Sequence, residues 1–342
     1  MATGVVEVLG VIGTLLGIVQ FGMDNFESPE TAKSILKVGV GLDYDGGLTN
    51  AGGDLPDVRL FNEGGDFLGM TVDPGKVKSG SGGVVEVPHD SDNGQQATYA
   101  LLSANTDAIC VAYVTITWPD GNEYGWVGDW GQQCGATWYY SHLYVSGTQA
   151  QPKCMWIDKN GDQPQTGFQL HFPEWVTEQP GVLPEGKDIN YFCNAGPPFK
   201  IRTDKDPNDI TYWVLNKRDE DNNKRSDTAQ SYGPTKGPTF PRRHLNARNQ
   251  TMSMNARFVE QLVMDNSTEH VTAELCESEN SAGPDFVNLA DGQFCRMSDK
   301  TLWPICDNDT TDGCFDLEEQ QLVINGVVQR TKKYNKVMTW GR

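Results

Sequence analysis

Nine short runs of β-branched and aromatic residues lie between residues 36 and 172: 36–43, 57–61, 66–72, 84–88, 97–103, 109–118, 137–145, 154–158 and 166–172. Gly, Pro, Asn and Asp cluster between them. Each run is too short for a stable helix and has the composition of a strand, and the intervening residues are those that turns require. Many short strands at this spacing bury their faces by pairing two sheets. The expected fold is therefore mainly β, an antiparallel β-sandwich. Asp120-Gly121 between VAYVTITW and NEYGWVGDW reads as a hairpin turn, and Asn325-Gly326 within LVINGVVQ reads as another.

The aromatic content fixes where the core should sit. Six of the nine tryptophans fall between Trp118 and Trp175, so that stretch should supply the largest buried side chains. Trp126, Trp130, Tyr139 and Tyr140 are also candidates for a platform that stacks a glycan or docks a protein. Adjacent residues of a strand face opposite ways, so Tyr139 and Tyr140 cannot both enter one core. The outward ring is either covered by the C-terminal part of the chain or offered to a partner.

The N-terminus carries a different pattern. Val5, Val6, Leu9, Ile12, Leu16 and Val19 recur at helical spacing, and Gly10, Gly13 and Gly17 form a flat face suited to close helix packing. The expected element is an apolar helix over 5–21, serving self-association into a homo-oligomer. The alternative is a membrane-active segment over residues 4–22, although Glu7 interrupts a run shorter than the ~20 residues a span needs.

Composition divides the chain into four: the apolar helix (1–30), the sandwich (31–175), a Pro-rich polar linker (176–255), and a C-terminal extension (256–342). The last begins with a short helix over 256–268 and continues with four cysteines. Its few apolar residues suggest a disulfide-rich layer laid over the sandwich and closed by a hairpin.

Eight cysteines, an even number and none in a C-x-x-C pair, point to disulfides rather than zinc or thiol redox chemistry. Sequons at Asn249, Asn266 and Asn308 point to an exported, glycosylated chain. The N-terminal run lacks a basic leader and a small-x-small cleavage pattern, so the extracellular expectation rests on the cysteines and sequons. A net charge of −19 repels phosphate backbones and excludes nucleic acid as a natural partner.

Few constellations carry chemistry. Asp158, Asn160 and Asp162 place oxygen ligands at alternate positions, as calcium loops do, but Gln163 and Gln169 stand where an EF-hand needs Gly and Glu. Calcium is the one cofactor suggested; the other reading is a turn capped by its own aspartate. Asp129, His142 and His171 could line a hydrolase or metal site if the fold brought them together. No P-loop, G-x-G-x-x-G or G-x-S-x-G is present.

At WVGDWGQQCGATWYYSHLYVSG, CMWIDKNGDQPQTGFQLHFPEW and the cysteine-containing segment from ELCESENSAGPDFV to DGCFD, the chain resembles a group of proteins predicted from filamentous ascomycete fungi. The resemblance implies a fungal source and an extracellular or surface location, and it carries no catalytic residues. The functional expectation is a non-enzymatic surface protein that binds glycan or protein partners or assembles with itself.

Overall fold

The computed structural model describes residues 6–12, 15–28, 30, 32–41, 51–90, 95–161, 163–176, 183–215, 232–236, 258–328 and 334–341; for 6–18, 215 and 232–236 it describes the backbone alone. The chain is mainly β, with antiparallel sheets dominating, and all eight cysteines are paired.

Two antiparallel sheets share one core. The first has the order Trp138–Tyr140, Lys153–Ile157, Ile109–Thr117, Lys33–Val40, Gly82–Pro88, with Glu123–Val127 also paired to Ile109–Thr117. The second runs Phe199–Arg202, Gly167–His171, Tyr99–Ser103, Asp57–Phe61, Phe67–Thr71. Leu36, Val38, Val114 and Ile116 of the first meet Val58, Leu60, Leu102 and Phe168 of the second in one buried cluster. The Gly82–Pro88 strand alternates buried and exposed residues along its length, as an edge strand with one wet face must. Ile109–Thr117 is buried throughout and pairs on both sides. Cys110–Cys154 staples this strand to Lys153–Ile157.

The N-terminus departs from the expected helix. Val6–Ile12 and Leu15–Phe21 are antiparallel strands, with Gly10 opposite Gly17; Gly13 lies outside the described residues. Three glycines would cost a helix interior roughly 1 kcal/mol each, and the β-branched residues lose side-chain freedom there. In a hairpin the same residues are at home. Gly10 and Gly17 therefore sit in paired strands rather than on a helix face. Phe21, fully buried, packs edge-on to Phe26 and Tyr113.

The expected linker is also partly integrated. Helix Ile189–Asn194 is capped by Asp188 and tied to helix Asp129–Gln133 by Cys134–Cys193. Phe199–Arg202 extends the second sheet. Phe192, Phe199 and Ile210 are buried, and the polar run 216–231 that suggested a linker lies outside the described residues.

The C-terminal part has a sheet of its own, ordered Thr301–Pro304, Gln293–Arg296, Asp285–Asn288, Gln261–Asp265, Lys336–Thr339. Where a short helix was expected near 256–268, Gln261–Asp265 is a strand, parallel to both neighbours. Leu262, Val287, Phe294, Phe315, Leu322 and Tyr334 give this part a small apolar core, so it is more than a stapled layer. Cys276–Cys295 and Cys306–Cys314 lie within it. It docks on the first sheet through Trp156 Nε1, which donates to Ala282 O at 2.8 Å, and through Tyr139 OH, which donates to Pro284 O at 2.9 Å.

Candidate functional site

The docking of the C-terminal part leaves a cleft of about 790 Å³ between the loop that follows Trp138–Tyr140 and the loop that follows Gln261–Asp265. That size lies within the ~300–1,000 Å³ typical of small-molecule sites. Tyr140, Lys153, Asp129 and His270 form its base.

Strand pairing sets the first two side by side, because Tyr140 and Lys153 are cross-strand partners. Asp129 reaches them through Gly128, where a Cβ would stand 2.4 Å from Lys153 O; only glycine lets the backbones come this close. Lys153 N then donates to Asp129 Oδ2 at 3.1 Å. The Lys153 ammonium is buried, pairs with Glu274, donates to Gln132 Oε1 at 3.1 Å and lies 4.8 Å over the Trp138 ring. Tyr140 OH lies 2.9 Å from both Val271 O and Glu274 Oε2.

The two carboxyl groups beside Lys153 are driven apart. Burial pushes Asp129 up to about 8 against the pull of Lys153, so it holds its proton at neutral pH. Burial also opposes the charge on Glu274, but Lys153, Gln132 and Tyr140 outweigh it and hold that carboxylate below its ordinary value.

The other wall is built at the end of a parallel strand. Asp265 Oδ1 accepts from Asn266 N at 2.8 Å and Ser267 N at 3.2 Å, while Oδ2 lies 2.6 Å from His270 Nδ1. Asn288 Nδ2 donates to the carbonyls of Ser267 and His270 and fixes the loop from within. His270 stacks on Tyr140 at 4.3 Å and meets Trp340 edge-on. Exposed side chains rim the cleft: Tyr144, Gln149 and Glu269.

The residues expected from sequence fall differently. Trp126, Trp130, Tyr139 and Tyr140 are each no more than 1 % exposed, so they form core rather than an outer platform. Both tyrosines are buried because the C-terminal part covers the outward ring: Tyr139 packs on Phe286 and Trp340, Tyr140 on His270. Asp129, His142 and His171 are not brought together. Asp129 borders the cleft, His142 stacks on Trp340 at 4.8 Å, and His171 stacks on Tyr99 at 4.1 Å.

His171 instead joins a structural ion cluster. Its Nε2 meets Glu63 at 2.8 Å and its Nδ1 lies 3.5 Å from Glu174. Glu174 also receives Lys187, Tyr191 OH at 2.9 Å and Trp213 Nε1 at 3.1 Å. Burial alone would raise Glu174, yet His171 and Lys187 hold it at about 2. Burial works against charge on His171 too, but Glu174 and Glu63 raise it. The cluster ties the 183–215 segment to the second sheet.

Asp158 is fully buried and its Oδ2 accepts from Gly161 N at 2.9 Å, while Asn160 Nδ2 donates to Thr106 O at 2.9 Å. These two serve a capped turn, and Asp162 lies outside the described residues. Asn266 and Asn308 are exposed; Asn249 lies outside the described residues. The residues that sequence reasoning missed are Lys153, Asp265, His270 and Glu274. The signal within reach was Asp265 and His270 flanking the Asn266 sequon.

No family model matches the chain, and no curated protein matches it.

Proposed function

We propose that this protein is an extracellular glycan-binding protein without catalytic activity, and that the cleft beside Tyr140 and His270 is its binding site. The cleft itself carries the reading. Its polar side chains are held in place before a ligand arrives, and Tyr144, 44 % exposed, offers a ring at its edge. Such a setting suits a ligand with alternating apolar faces and hydroxyls, as sugars have. Four disulfides favour an oxidising compartment. The exposed sequons at Asn266 and Asn308 support export.

The test is a glycan array followed by titration calorimetry with the neutral oligosaccharides that bind. Tyr144→Ala is expected to weaken binding about tenfold, the scale of one aromatic contact of ~0.5–1.5 kcal/mol, with the thermal midpoint unchanged because the ring is exposed. An array with no bound sugar refutes the reading.

A further inference from the structure

We infer that His270 reads the ligand as a hydrogen-bond acceptor, so that the cleft takes a neutral sugar through one of its hydroxyls and rejects acidic sugars; this rests on the glycan-binding reading above. Asp265 decides which ring nitrogen carries the hydrogen. Its Oδ1 is occupied by the N–H groups of Asn266 and Ser267, and its Oδ2 faces His270 Nδ1 at 2.6 Å. A carboxylate oxygen only accepts, so Nδ1 holds the hydrogen, and in the neutral ring Nε2 keeps a lone pair.

The ring cannot turn over to exchange the two. It is 3 % exposed, stacked on Tyr140 and closed from the edge by Trp340. His270 borders the cleft, and among the described residues nothing is hydrogen-bonded to its Nε2. A sugar hydroxyl can donate to that lone pair. A uronate has a carboxylate where the neutral hexose has its C6 hydroxyl; that group cannot donate to the lone pair, and it would also confront the exposed Glu269 on the rim. Asp265 is thus a positioning residue acting through His270.

The experiment compares wild type, Asp265→Asn and His270→Phe at about pH 8, where an ordinary imidazole is neutral. Asparagine retains an oxygen for the two loop N–H groups but turns an amide N–H₂ toward Nδ1, which moves the ring hydrogen to Nε2. Phenylalanine keeps the stack and removes the nitrogen. The probes are the best neutral hexasaccharide from the array and an oligogalacturonate of equal length. Wild type should prefer the neutral probe at least about tenfold, and both variants should lose about tenfold in binding it. Histidine ¹⁵N spectra should show the Nδ1–H tautomer in wild type and Nε2–H in Asp265→Asn.

An Nε2–H tautomer in wild type overturns the inference whatever the variants do. So does equal binding of the two probes. Binding that responds to Tyr144→Ala and not to Asp265→Asn removes this inference alone, whereas failure of every sugar to bind removes the glycan reading with it.

Discussion

Replacing Asp129 by asparagine should make the protein more stable at neutral pH, and the gain should grow with pH. The carboxyl is 1 % exposed, and burial raises it to about 8 although Lys153 stands beside it. In the unfolded chain the same group ionises near pH ~4. Its contribution to stability is complete below that value and is lost progressively as pH rises toward 8, because the unfolded chain sheds a proton that the folded one keeps. Each pH unit in this window is worth up to ~1.4 kcal/mol. Asparagine has the shape of the protonated acid, can still accept from Lys153 N, and does not titrate. The gap between Asp129→Asn and wild type should therefore widen by about 2–3 kcal/mol from pH 5 to pH 7. Urea unfolding followed by tryptophan fluorescence at pH 5, 6 and 7 measures it directly. Two curves that run parallel across that range would show Asp129 ionised in the fold, with Lys153 outweighing burial, and the electrostatic account of the cleft base would fail.

Glu174→Gln leaves Lys187 and His171 without their buried counter-charge; a loss of ~3–5 kcal/mol in urea is expected, with faster proteolysis inside 183–215, and a change under ~0.5 kcal/mol would contradict the cluster's structural role. Because the Glu174 carboxylate is depressed to about 2, its contribution should be present above pH ~4.3 and disappear as acid approaches its folded value. Removing Cys134 and Cys193 together opens a link across 59 residues, worth ~4 kcal/mol by loop entropy; hydrogen exchange should rise first in helix Ile189–Asn194. Gly283→Ala would set a Cβ 2.4 Å from the buried Tyr139 ring; the expected cost is ~1–3 kcal/mol, and an unchanged thermal midpoint would mean that this contact yields freely.

Most strands of the two-sheet core were readable to within a few residues, since turn formers bound them; Phe199–Arg202, inside the expected linker, was not. Asn325-Gly326 behaves as its dipeptide requires, both residues taking positive φ between Gln321–Ile324 and Val327–Val328. The N-terminal run was misread because its apolar residues satisfy a helical period while its glycine and valine content favours strands; period and propensity disagreed, and propensity prevailed. Gln261–Asp265 was misread for a tertiary reason: QLVMD is short and apolar, and only two parallel neighbours from distant parts of the chain make it a strand. The cleft was the least legible. Lys153, Glu274 and His270 are ordinary polar residues in sequence, separated by up to 121 positions in a single contact. No local pattern announces that they meet. The aromatic residues that did stand out were conspicuous for filling the core.

The parallel pairing of Gln261–Asp265 with Lys336–Thr339 sets a timetable for biosynthesis. Trp340 closes the edge of His270, and its backbone N–H reaches Met264 O at 2.8 Å. The two-sheet core can collapse while the ribosome is still translating, but the cleft cannot close around His270 until residues 336–340 have emerged. A nascent chain halted before that point would lack Met338 and Trp340, which belong to the main buried cluster, and Tyr139 would lose part of its cover. The enzymes that pair cysteines would meet Cys110, Cys134, Cys154 and Cys193 first, long before the loop holding His270 has anything to lean on.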